Sequence, residues 1–197
     1  MDTIGLSLAR RLKNERDQRG WSLAELARRA AVSKSMISKV ERAEASPTAA
    51  VLGRLSGAFG LTMSSLLEEE RPALNRLIRR SAQSEWKDPA TGYVRRTVCA
   101  PGAGRVEVTE VTLPPRARVA FPKEAFAFID QQILVRKGIL YFTEGKLVHE
   151  LRSGDHLTLG TPQDCVFENR QKTASVYLVM LVRSGTKTSE VRKRPRK

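Results

Sequence analysis

Apolar residues recur at helical spacing through the first 67 positions and at alternating spacing from about residue 106 onward, so periodicity alone divides the chain. Ile4, Leu8 and Leu12 stand four apart among Arg10, Arg11, Lys13, Arg16 and Arg19, and Gly20 supplies a left-handed stop, which predicts a first helix. Ser22-Leu23-Ala24-Glu25 has the form of a capping box, in which hydroxyl and carboxylate satisfy each other's orphan backbone donors. It opens a second helix of about nine residues with Leu23, Leu26, Ala27 and Ala30 on one face. After the short turn Ala31-Val32, Ser33 caps a third helix running to Arg42, with Ile37 and Val40 inward and the rest polar. Ser46-Pro47 reads as a cap followed by proline at the first helical position, opening a fourth helix whose Val51, Leu55 and Ala58 face the core and which Gly60 closes. Met63 to Leu67 predicts a short fifth.

Residues 68–85 are polar and mixed in charge, with Pro72 and a helical piece at Leu74, Leu77 and Ile78, and read as a linker. Beyond it Val106, Val108, Glu110 and Thr112 alternate with Glu107, Thr109, Val111 and Leu113. Short β-branched runs follow at 131–136, 139–142, 146–151, 156–159, 165–169 and 175–182, punctuated by Gly138, Gly145, Gly154-Asp155 and Pro162. This is the pattern of an antiparallel sandwich or barrel over residues 86–184. Gly102-Ala103-Gly104 is too short to cradle a phosphate and reads as a turn. Residues 185–197 form a basic tail without periodicity.

The 197 residues, 41% hydrophobic and 28% charged, suffice for two small globular domains, each with its own core. The start has no apolar signal region, and the apolar run Val176–Val182 is far too short to span a bilayer, so a cytoplasmic protein without membrane association is expected. Cys99 and Cys165 stand far apart with no CxxC spacing, which indicates neither a disulfide framework nor a zinc ribbon. The net charge of +14 is concentrated at the ends: residues 1–67 hold eleven Lys and Arg against six Asp and Glu, and residues 185–197 six against one. A polyanion partner explains this distribution best, nucleic acid first and an anionic membrane surface as the rival.

Two short helices joined by a tight turn, the second with a polar outer face, can lay that second helix into the DNA major groove. Lys34, Ser35, Ser38 and Lys39 carry the donors and acceptors that read base edges, and Ser22, Ser33 and Arg42 are placed to grip phosphates. The runs Gly20-Trp21-Ser22-Leu23-Ala24-Glu25-Leu26-Ala27, Val32-Ser33-Lys34-Ser35, Ile37-Ser38-Lys39-Val40-Glu41-Arg42 and Ser46-Pro47-Thr48 resemble the Xre/lambda-repressor family in order and spacing. The resemblance implies a five-helix DNA-binding domain over residues 1–67, a recognition role for the third helix, and an ion pair from Arg16 to Glu41. It also implies glycine in the turn where this chain has Ala31; a left-handed alanine there costs about 1 kcal/mol. A single such domain makes few phosphate contacts, so a homodimer on an inverted-repeat operator in double-stranded DNA is expected.

Gly138, Gly154-Asp155 and Phe167-x-Asn169 are similar in spacing to the cupin family, a double-stranded β-helix, over residues 97–183. The resemblance implies a multidomain α plus β protein and, in its metal-binding members, three histidines and a glutamate. Here the glutamate position falls at Gln131, the histidine pair within 124–127, where only Glu124 is an imaginable ligand, and the last histidine at Cys165. No metal, cofactor or catalytic residue is therefore expected, and His149 and His156 lie at other positions. Strand parity points Gln131, Ile133 and Val135 inward from one strand and Cys165 and Phe167 from another, with Phe126 nearby, as a candidate pocket for a small effector; the competing reading is a filled core. The alternative function that stays open is a metal-dependent cupin oxygenase or isomerase with an accessory helical domain.

Overall fold

The computed structural model of the protein describes residues 3–67, 77–100 and 106–183. Pro72 and Leu74, the Gly102-Ala103-Gly104 turn and the tail 185–197 lie outside them. Five helices come first: α1 (Thr3–Gln18), α2 (Leu23–Ala30), α3 (Lys34–Glu41), α4 (Ala49–Phe59) and α5 (Met63–Leu67). Among the described residues no helix is long and apolar enough to cross a membrane.

The local chemistry differs from expectation at two helix starts. Ser22 does cap α2, its hydroxyl accepting from the Glu25 N–H at 3.1 Å, but the box is only half formed. The Glu25 carboxylate turns outward to Arg28 and Arg29, at 2.8 and 2.7 Å, because two guanidiniums one turn away outcompete a single backbone donor. At α4 the cap is Thr48, which accepts from Val51 N–H at 3.3 Å, so Pro47 precedes the helix instead of opening it. Asp88, far along the chain, adds a carboxylate oxygen 3.3 Å from the Ala49 N–H. The expected core face of α4 is also displaced: Leu52, Leu55 and Phe59 are buried, whereas Val51 and Ala58 are half-buried. This helix is covered on two sides.

The second half holds β1 (Glu85–Lys87), β2 (Val94–Cys99), β3 (Val106–Leu113), β4 (Arg118–Phe121), β5 (Ile129–Lys137), β6 (Ile139–Glu144), β7 (Leu147–Arg152), β8 (His156–Thr158), β9 (Cys165–Glu168) and β10 (Ser175–Arg183). They form two antiparallel sheets, ordered β1-β2-β3-β10-β5-β8 and β4-β9-β6-β7. From β3 to β10 the chain keeps crossing between the sheets, which makes the two Greek keys of a jelly roll, the cupin-like double-stranded β-helix. Asn169, fully buried, pins the corner before β10: its amide donates to the carbonyls of Leu113, Pro114 and Thr173 and its oxygen accepts from Gln171 N–H. Phe167 is the hub of the interior, with ring centroids 4.8 Å from Phe142 and 5.7 Å from both Phe121 and Tyr177.

The helical and β halves do not bury separate cores. One continuous apolar cluster runs from Leu8 and Leu12 through Leu52 and Phe59 to Phe121, Phe167 and Tyr177. The seam is α4, laid against β4 and the 3-10 turn Lys123–Phe126. Two helical glycines permit the approach. A Cβ on Gly53 would stand 2.7 Å from the Phe121 ring, and one on Gly57 would stand 2.9 Å from the backbone of Glu124. Below them the inward side of β3 is polar where it meets α5: Thr62 donates to the Glu107 carboxylate at 2.7 Å, and Ser64 lies 3.2 Å from Thr109 Oγ1.

Two stability changes follow from this packing. Gly57→Ala drives a methyl into backbone that cannot yield, and is expected to lower stability by about 1–3 kcal/mol; an unchanged melting temperature would contradict the close approach. Ala31 closes α2 at φ 50° and ψ 43°. Ala31→Gly relieves that left-handed strain and is expected to raise stability by about 1 kcal/mol, read as a higher melting temperature in the same experiment.

Candidate functional site

Helix α3 is held by an ion pair that reaches across the domain. Arg16, on α1, meets Glu41, at the end of α3, through Nε to Oε1 at 2.7 Å and Nη2 to Oε2 at 2.9 Å, and its Nη1 donates to the Trp21 carbonyl at 2.9 Å. Both side chains are largely buried, and the hydrogen bonds to Glu41 raise the Arg16 pKa despite that burial. Removing Arg16 would strand the buried Glu41 carboxylate, whereas removing Glu41 would leave Arg16 paired with the exposed Asp17 at 2.6 Å. Trp21 secures the turn into α2 by stacking on Phe59 at 5.6 Å, with the Arg29 guanidinium 4.3 Å over its other side.

The residues singled out for DNA lie together along α3 and at the starts of α2 and α3. Ser22, Ser33, Lys34, Ser35, Lys39 and Arg42 are exposed and Ser38 is half-buried. The Ser22 and Ser33 hydroxyls accept from Glu25 N–H and Met36 N–H, so each marks a helix N-terminus open to solvent, a natural seat for a phosphate. Arg42 is not idle in this conformation. It is hydrogen-bonded to Glu44 at 2.6 and 2.7 Å and to Ser38 Oγ at 2.5 Å, and Glu44 raises its pKa. Gripping a phosphate would exchange Glu44 for the phosphate.

The barrel residues are distributed over two cavities and a filled core. Phe126, Gln131 and Cys165 line a cavity of about 20 Å³ at the rim. A larger one, about 40 Å³, is bounded by Phe126, Gln131 and Phe167, by Tyr93 and Arg95 from β2, and by Thr62 and Met63 from the helical half. Ile133 and Val135 line neither; they are fully buried, and in register with Val179 and Tyr177 they fill the interior beneath. Arg95 and Tyr93 were not apparent from the sequence. Their alternation with Val94 and Arg96 was the available signal, obscured because a charged residue on an inner face breaks the apolar pattern.

The cupin metal positions do not assemble a metal site. Glu124 is exposed on the 3-10 turn beside Gly57, and Gln131 offers a neutral amide. Cys165 donates to the Gln163 carbonyl at 3.3 Å, and burial with the nearby Glu144 and Asp164 pushes its thiol up to about 12. Among the described residues no three His, Cys, Asp or Glu side chains converge.

Comparison with known proteins agrees with the helical geometry. Residues 12–66 match the helix-turn-helix family model. The chain is 37% identical over 73 residues to the HTH-type transcriptional regulator SutR of Escherichia coli, covering 37% of this chain and 41% of that protein. It is 34% identical over 64 residues to the HTH-type transcriptional regulator SinR of Bacillus subtilis, covering 32% of this chain and 58% of that protein. The matches thus span about half the length of these relatives. The crystal structure of an HTH_3 family transcriptional regulator from Vibrio cholerae superposes with a TM-score of 0.73 at 25% identity, over 91% of this chain and 96% of that one.

The cysteine environments give a direct check. At pH 8 a maleimide is expected to modify the half-buried Cys99 well before Cys165, whose thiol is both enclosed and raised to about 12. Equal rates of labelling, read by mass spectrometry of the two peptides, would show that the barrel rim is open.

Proposed function

We propose, on the premise that residues 12–66 of this chain belong to the helix-turn-helix family, that the protein is a sequence-specific DNA-binding transcriptional regulator. The observation that carries this reading is the placement of α3. It is short and polar on its outer side, and the Arg16–Glu41 pair holds it rigid with Lys34, Ser35 and Lys39 facing solvent. In this role α3 enters the major groove, where Lys34, Ser35, Ser38 and Lys39 meet base edges and Ser22, Ser33 and Arg42 meet the flanking phosphates. The relatives named as transcriptional regulators support the same role.

The protein acts as a homodimer on an inverted repeat, since one such domain reads too few base pairs to be selective. The barrel serves dimerisation and the sensing of a small effector. It is not a catalyst in this reading, because Glu124, Gln131 and Cys165 supply neither a metal set nor an accessible nucleophile. Binding DNA places its work in the cytoplasm, with no role for a membrane.

In-vitro selection of random duplex DNA by the full-length protein at physiological salt is expected to enrich an inverted repeat; a folded protein that enriches nothing would refute sequence-specific reading. On the selected site, Lys34→Ala is expected to lose about 1–3 kcal/mol of discrimination against scrambled DNA. Equal losses on both sequences would assign Lys34 to the phosphates.

A further inference from the structure

Arg95 is a buried cation with no matching anion among the described residues. Only 8% of it is exposed, yet its guanidinium is held by neutral hydroxyls alone: Nη1 donates to Tyr93 Oη at 2.9 Å, and Nη2 to Thr109 Oγ1 at 3.3 Å and Ser64 Oγ at 3.4 Å. Among the described residues no carboxylate lies within ion-pair distance of it. Glu107, the buried carboxylate on the neighbouring strand, stands two positions from Thr109 and accepts from Thr62. The hydrogen bonds of Arg95 use three of its five N–H groups.

A second buried polar group lines the same cavity. Gln131 on β5 is 5% exposed, and its side-chain amide makes no hydrogen bond to the described residues. The walls between are apolar: Met63, Phe121, Phe126, Phe167, Val179 and Leu181. A cation and an amide, each more than nine-tenths buried and facing an apolar cavity, form a site for a ligand with one negative end.

We infer that this cavity binds a small monocarboxylate, with Arg95 taking the carboxylate through its unused N–H groups, Gln131 offering a second hydrogen bond, and the phenylalanines enclosing a short apolar tail. Its volume of about 40 Å³ suits a ligand of roughly three to four non-hydrogen atoms, given some 10–15 Å³ for each water-sized centre. The inference rests on the effector-sensing reading above and names the effector's class. It also names the route of coupling. Thr62 and Met63, at the start of α5, line the cavity, and Ser64 is an acceptor for Arg95, so an anion on Arg95 bears directly on the seat of the DNA-binding half.

The test is calorimetric titration and thermal melting of the full-length protein with acetate, propionate and butyrate, against acetamide, propionamide and butyramide, at constant ionic strength set with chloride. One acid is expected to bind saturably and raise the melting temperature, with its amide at least about tenfold weaker. Arg95→Gln is expected to abolish that binding; should it fail to fold, Gln131→Leu is expected to weaken it and Val179→Phe, which fills the cavity, to remove it. Acids and amides that bind alike, or a response to acids equal to that of chloride, would overturn the inference. DNA affinity, measured separately on a selected site, keeps the two claims apart. Saturable acid binding that leaves DNA affinity unchanged supports the site and refutes the sensing role, whereas selective DNA binding with no acid bound refutes the site and leaves the regulator standing.

Discussion

The architecture depends on the close approach of α4 to the barrel. Gly53 and Gly57 leave the helix surface bare where Phe121 and the backbone of Glu124 press against it, and any Cβ there would lie inside van der Waals contact. Once the helix is seated, Asp88 caps its first turn from the barrel side. Glu107 and Thr109 then receive Thr62, just before α5, and Ser64 within it. The apolar cores on either side merge into one cluster. A head on a loose tether would need none of these contacts, and a two-domain chain with self-contained cores is not what this structure is.

In the proposed function, that seam links the barrel to the helix that reads DNA. Helix α3 is tied to α1 by the Arg16–Glu41 pair, and α4 and α5 join the same helical core to the jelly roll. The proposed recognition helix is therefore joined to the barrel through the shared helical core. In a dimer this fixes the spacing between two heads, which is the quantity an inverted repeat measures. A ligand shifts such a system only by preferring one arrangement over another. The cavity that holds Arg95 and Gln131 is bounded by both halves, so a ligand there would touch residues of each.

The helix-turn-helix was legible in the sequence because its determinants are local. Ser22 and Ser33 sit at the helix starts their hydroxyls cap, Leu26, Ile37 and Val40 keep helical period, and the resemblance supplied the Arg16–Glu41 pair. The same locality misled at α4, where Ser46-Pro47 looks like a cap but Thr48 is one, fixed by Asp88 from far along the chain. In the barrel the long strands were visible, while β1, β2 and β4 were not. β1 and β4, of three and four residues, are too short for their alternation to stand out, and β2 carries Arg95 on its inner face, which breaks the apolar pattern. The seam itself left no signature, since Gly53 and Gly57 in a helix look merely unfavourable until Phe121 and Glu124 are seen against them. Strand parity named Gln131, Phe167 and Cys165 as inward but could not distinguish cavity from filling, which is why Ile133 and Val135 belong to the core.

The most direct test of a single cooperative unit is native-state amide hydrogen exchange on the full-length protein across a denaturant series. The amides of α4 and those of β3 and β10 are expected to open with the same free energy and the same denaturant dependence, as parts of one unit. Opening of α4 with the other helices at a clearly lower free energy, while the strands stay protected, would show that the DNA-binding half unfolds on its own and that the barrel does not hold it.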